Sequence, residues 1–148
     1  MNILNVREYI ETFLKIRTKD GTLMPLRLNQ PQDRMYQAVK SQWDAGKPVR
    51  IIVLKARQMG FSTLTEAIIF AITATRFYTD CMIVAHKDEA TANLFRMSLR
   101  YYENLPEPMK PMRKASNAHE LVFDKPAHYK GRRPGLGSSI KCATAGGS

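Results

Sequence analysis

"KARQMGFST", residues 55–63, lies between the apolar run "PVRIIVLKA" and the long segment "STLTEAIIFAITATRFY". Its spacing follows the phosphate-binding pattern G-x-x-x-x-G-K-[ST], but Lys55 stands at the first glycine and Phe61 at the lysine. A loop that runs from a buried strand into a helix exposes unpaired backbone N–H groups and the positive end of the helix dipole. Both attract phosphate before any side chain contributes. Gly60 suits close backbone approach, and Ser62 is placed to cap the helix and offer its hydroxyl to Mg²⁺, with Thr63 as the alternative. Phe61 cannot supply the missing charge, whereas Lys55 and Arg57 precede the bend and can fold across it. An ammonium is a mobile point charge and a guanidinium a rigid fork. Lys55 is therefore expected at the β- and γ-phosphates, and Arg57 at the γ-phosphate or coupling to a neighbouring element. Ala56, Gln58 and Met59 complete the loop. The competing reading is an ordinary strand-to-helix turn carrying two surface cations.

Working outward, residues 49–54 are almost continuously apolar, as a central parallel strand buried on both faces requires. The segment after the loop has no interior glycine or proline and reads as a buried helix. "TDCMIVAH" reads as a second buried strand. "KDEATANLFRMSLRYYENL" reads as a second long helix with Asp88 and Glu89 at the favourable end of its dipole. Upstream, "PQDRMYQAVKSQWDAG" has Pro31 in a first turn, helical apolar spacing through Trp43 and a stop at Gly46, with Tyr36 and Trp43 as core anchors. "NVREYIETFLKIRT" suggests a short helix running into an extended piece, and "DGTLMPLRLN" a turn followed by loop or strand. After Pro106, Pro108 and Pro111, "HELVFD" and "SSIKCATA" read as short alternating strands joined by the basic, glycine-rich "KPAHYKGRRPGLG". Alternating strands and helices at this spacing predict an α/β fold of the P-loop type, a mostly parallel sheet with flanking helices, incomplete at its C-terminal end.

The whole chain supports a globular domain with a polyanionic partner. It has 148 residues, 44% of them hydrophobic, and 23 Lys and Arg against 13 Asp and Glu, for a formal charge of +10. No apolar run reaches the roughly 20 residues that cross a bilayer, and the N-terminus lacks a signal-peptide core. Cys81 and Cys142 lie in apolar stretches without metal-ligand spacing, which suggests buried free thiols in a reducing compartment.

The block "LKARQMGFSTLTEA" resembles the deviant phosphate loop of viral large terminases, the ATPases that package double-stranded DNA. In that family the loop's lysine often lies at the front, as Lys55 does here. "LNQPQDRMYQAV" resembles the family's adenine-recognition segment, with Gln32 the best match for the base-reading glutamine and Gln30 the reserve. "CMIVAHKDEATANLF" resembles the strand and loop shared with helicases, and "ELVF…GSSIKCATAGGS" the stretch before the acidic motif; the likeness covers about residues 25–148. It implies a lead segment over 1–30 and the front part of a P-loop ATPase domain over 31–148. It also implies ATP and Mg²⁺ as cofactors, Lys55 and Arg57 as catalytic cations, and duplex DNA, a portal protein and a terminase small subunit as partners. The wider setting would be a homo-oligomeric ring in the host cell cytoplasm, a nuclease elsewhere in the full protein, and no membrane.

This sequence departs from the family where Mg²⁺ and water need carboxylates: no apolar run ending in an acidic pair follows Cys142. Asp124 lacks an adjacent acid, and Asp88–Glu89 falls in the helicase-like segment. The chain by itself is therefore expected to be inactive. His86, His119 and His128 have no zinc-type spacing. Lys125, Lys130, Arg132 and Arg133 form the local candidate for non-specific phosphate-backbone contact, or for touching a neighbouring subunit's nucleotide. The alternatives are a fragment of a DNA helicase or related remodelling ATPase, and a non-catalytic basic DNA-binding or assembly module.

Overall fold

A computed structural model of the chain describes residues 3–54, 59–117, 119–126 and 135–146. Helix α1 (Ile3–Phe13) leads into a small antiparallel hairpin, β1 (Lys15–Arg17) and β2 (Leu23–Pro25). Helix α2 spans Gln30–Asp44 and opens with a capping box: Asn29 accepts from the Gln32 backbone, and the Gln32 side chain accepts from Asn29. Two core helices follow, α3 (Phe61–Thr73) and α4 (Asp88–Glu103). The main sheet contains β3 (Asp80–Ala85), β4 (Arg113–Ser116), β5 (Glu120–Phe123) and β6 (Ser139–Thr144), in the order β3-β6-β5-β4.

The expected mostly parallel sheet is not what forms. The β3–β6 pair is parallel, with Cys81 opposite Ile140 and Ile83 opposite Cys142, but β6–β5 and β5–β4 are antiparallel. The cause is local. Asn117 accepts from the backbone N–H groups of His119 and Glu120, both at 2.9 Å, and this tight side-chain-built turn reverses the chain between β4 and β5. The sheet is therefore mixed.

Two strand expectations also change. Residues 47–54 take no place in a ladder, and Ile52 and Leu54 are 92% and 95% exposed rather than buried. In place of a strand partner, the Gln42 side chain holds both backbone groups of Arg50: its Oε1 accepts from the N–H at 2.7 Å and its Nε2 donates to the carbonyl at 3.1 Å. Strand β3 does form, but at the sheet edge, so Met82 and Val84 face outward at 62% and 57% exposure.

The core runs from α1 through the helices to the sheet. Val6, Ile10 and Leu14 share one buried cluster with Leu64, Phe70 and Tyr101, and Leu121, Phe123 and Ile140 join it from the sheet. Tyr36 is buried as expected. Trp43 is half-buried beneath the Arg76 guanidinium, 4.4 Å from the ring centre. Both cysteines are free. Cys142 is buried, and desolvation pushes its thiol up to about 12, whereas Cys81 is only half-buried and accepts from Thr73 Oγ1 at 3.3 Å. Among the described residues no helix is long and apolar enough to cross a membrane.

Candidate functional site

The sequence motif and the start of α3 coincide at Gly60. This residue is the N-cap of α3, with φ +77°, a left-handed conformation that favours glycine, and it brings no side chain to cap the first turn. A Cβ there would also lie 2.5 Å from Gln32 Nε2. Steric room and backbone conformation both require glycine. Phe61 and Thr63 are half-buried, and Ser62 is exposed in the same turn with its hydroxyl open to solvent. The Thr63 carbonyl accepts from Tyr101 Oη at 3.1 Å, which fixes this turn against α4.

Gln32 is drawn into the loop rather than left to face a ligand. It is 4% exposed; its Oε1 accepts from the Asn29 backbone at 3.0 Å and its Nε2 donates to the Gly60 carbonyl at 2.8 Å. One side chain thus caps α2 and ties it to the residue that begins α3. Gln30, by contrast, is exposed and lines a shallow apolar pocket of about 340 Å³ with Pro31, Met35, Met59 and Phe61, and Arg34 adds a cation at its rim. Residues 51–54 form the opposite wall. Arg34 and Met35 are not singled out by the sequence motifs. Their position on α2, three and four residues past Pro31, is the signal that could have marked them, because those positions share a helix face with the glutamine segment.

Of the other expected site residues, Lys55, Ala56, Arg57 and Gln58 lie outside the described residues, as do Lys130, Arg132, Arg133 and His128. Lys125 is exposed, and its backbone N–H donates to Asp124 Oδ1 at 2.8 Å. Asp88 accepts from Thr144 Oγ1 at 2.6 Å, and Thr144 in turn meets Thr91, so this carboxylate joins the end of β6 to the start of α4. His86 and His119 are exposed.

Among the described residues no group of three or more His, Cys, Asp and Glu side chains is placed to hold a metal ion. Ser62 offers one hydroxyl oxygen to a cation, and no described carboxylate cluster joins it.

One turn further along α3, Glu66 is 1% exposed. Its Oε2 accepts from Ser98 Oγ on α4 at 2.8 Å, while Oε1 is buried without a partner. Desolvation pushes its carboxyl up to about 7, against the smaller opposing effect of the Ser98 bond.

No family model matches the chain, and no curated protein matches it either. Among solved structures it is similar to the large terminase of bacteriophage HK97, with a TM-score of 0.73 at 19% identity. The match takes in 99% of this chain and 28% of that protein, so the chain spans little more than a quarter of the terminase's length. At that identity the likeness is one of fold, shared with part of a phage large terminase.

Proposed function

We propose that this chain is the ATP-binding portion of a viral DNA-packaging motor, a terminase large subunit in which ATP hydrolysis drives translocation of duplex DNA. The observation that carries the reading is the Gln32–Gly60 hydrogen bond, which binds the glutamine segment to the glycine opening α3 at the edge of an apolar pocket. A nucleotide would place its base against Phe61, Met35 and Pro31 and direct its phosphates to the uncapped first turn of α3. Gly60 permits the approach, and the N–H groups of Phe61, Ser62 and Thr63 face the anionic end. Lys55 and Arg57 are proposed as the cations for the β- and γ-phosphates, and the Ser62 hydroxyl as one oxygen for a Mg²⁺ ion carried by ATP. Duplex DNA, a portal protein and a small subunit are the proposed partners, in a ring assembled in the host cytoplasm. The fold shared with the HK97 terminase supports this choice among P-loop activities.

The test is equilibrium binding of a fluorescent ATP analogue to the chain and to Lys55→Ala, with thermal melts to verify folding. Saturable micromolar to millimolar binding, weakened in Lys55→Ala, is expected. A folded chain that binds no nucleotide at millimolar concentration overturns the reading. In any longer form with turnover, Lys55→Ala should lower kcat by roughly 10²-fold, because the cation meets charge that develops in the transition state.

A further inference from the structure

A second pocket, of about 390 Å³, opens between β1, α4 and the first turn of α3. Four of its lining residues are cations: Lys15 and Arg17 from β1, and Arg96 and Arg100 from α4. Thr63, Asn93, Ile16, Met97 and Tyr101 complete the lining, and none of these is acidic. Lys15 and Arg17 are exposed and two apart on a strand, so they share a side, while Asn93, Arg96 and Arg100 fall on one face of α4. Among the described residues none of the four cations enters an ion pair; Arg96 Nη1 donates only to the amide oxygen of Asn93, at 3.0 Å.

We infer that this groove binds the phosphodiester backbone of duplex DNA without reading its sequence. Four like charges around one concavity repel one another unless an anion fills it, and a chain of formal charge +10 already favours a polyanion. Guanidinium forks match phosphate oxygens in bidentate geometry. Tyr101 is the aromatic residue of the lining, but it is 1% exposed with its hydroxyl spent on the Thr63 carbonyl, so it offers no aromatic anchor of the kind on which protein partners dock. The nucleotide pocket lies elsewhere. Phe61 lines that pocket and Thr63 this one, and two residues along a helix turn the side chain by about 200°. None of the groove's lining residues belongs to the 125–133 segment, and the proposal rests on the duplex-DNA part of the function proposed above.

The experiment titrates a labelled mixed-sequence duplex against the chain from 50 to 200 mM salt. Wild type is compared with Arg96→Gln/Arg100→Gln, with Lys15→Gln/Arg17→Gln and with a charge-matched control on the sheet, Lys114→Gln/Lys141→Gln. Removing one cation from a phosphate should take roughly 0.9 off the slope of log K against log salt. Removing two should cut the affinity change across that range by about tenfold, whereas the control should change it much less. The exposed β1 pair keeps the test open if the α4 variant fails to fold. An unchanged slope in folded groove variants, or an equal change in the control, overturns the proposal. So does displacement of the duplex by stoichiometric inorganic triphosphate, or groove-dependent binding of polyglutamate tighter than DNA. Binding of the ATP analogue is measured on the same variants. Nucleotide binding with an unchanged slope fails the groove alone, and a reduced slope without nucleotide binding fails the ATP reading alone.

Discussion

The two pockets flank the same first turn of α3 and differ in the charge that lines them. The Phe61 side is apolar, walled by Pro31, Met35 and residues 51–54, with Arg34 as its cation. The Thr63 side carries four cations and no carboxylate. Both are held by the same frame, since Gln32 fixes Gly60 from α2 and Tyr101 fixes Thr63 from α4. Two residues of sequence thus divide a helix start between the pocket proposed for a base and the groove proposed for phosphate oxygens. One rigid turn can then serve two ligands, provided that the helix beneath it does not move.

The most direct way to break that comparison is to loosen the frame. Glu66 lies one turn below both pockets, on the face of α3 that meets Ser98 of α4. Its folded carboxyl is raised above the ordinary value of 4.5 to about 7, mainly by desolvation. Between those values the unfolded chain releases the proton while the folded chain keeps it. Stability should accordingly fall as pH rises from about 4.5 to 7, with a total loss on the order of 3 kcal/mol that remains at higher pH. Glu66→Gln keeps the shape and the Ser98 contact and removes the titration. Denaturant melts should show a flatter stability profile and a more stable protein at pH 8. If Glu66→Gln loses stability at pH 8, the carboxylate has a role that an amide cannot fill.

A double dissociation should sharpen the comparison. Phe61→Ala removes an apolar wall of one pocket, and stacking against a base is worth about 1–3 kcal/mol. Its ATP-analogue affinity should fall roughly tenfold or more while the salt slope for DNA stays unchanged. Loss of the Arg96 and Arg100 charges should do the reverse. A variant on one side that impairs both ligands equally would mean that the turn, rather than its two faces, is what binds. Gly60→Ala should damage the shared frame, because the added Cβ meets Gln32 and the left-handed backbone costs about 1–2 kcal/mol. Binding of the ATP analogue and the melting midpoint should fall together in that variant.

The helices of this frame were legible in the sequence because their signals are local. Pro31 opens α2, Gly46 follows its end, and the unbroken apolar run after Gly60 gives α3, whereas the Asn29–Gln32 capping pair emerges only in the structure. Residues 49–54 misled because apolarity reports what a segment could bury, whereas burial depends on distant strands that line up beside it. The Gln42 side chain meets Arg50 where a neighbouring strand was expected. Asn117 turns the chain back between β4 and β5, a local reversal that the strand–helix rhythm does not announce. The basic groove escaped notice for a similar reason. Arg96 and Arg100 have helical spacing, but only the packing of β1 on α4 brings Lys15 and Arg17 to them.

The smallest expected effect separates two glutamines that the sequence left as rivals for the base. Gln32 spends both ends of its amide inside the protein, on the Asn29 backbone and on the Gly60 carbonyl, and it is buried. Its second N–H and second lone pair stay shielded by that burial, so the side chain must move before it can meet a ligand. Gln30 is the first residue of α2, is exposed and lines the apolar pocket, so its amide can both donate to and accept from a base edge. Gln32→Ala should therefore act first on the frame: it removes half of the capping box, lowers stability by about 1 kcal/mol and weakens all nucleotides alike. Gln30→Ala should leave the melt unchanged and weaken ATP by roughly three- to tenfold, the worth of one net hydrogen bond. GTP should be weakened less, narrowing the preference between the two bases. Competition binding with ATP, GTP and inorganic triphosphate, on both variants, checks the assignment. A Gln30→Ala protein with wild-type base preference, beside a stable Gln32→Ala protein that has lost it, would return base reading to Gln32 and require its amide to swing away from Gly60 when nucleotide binds.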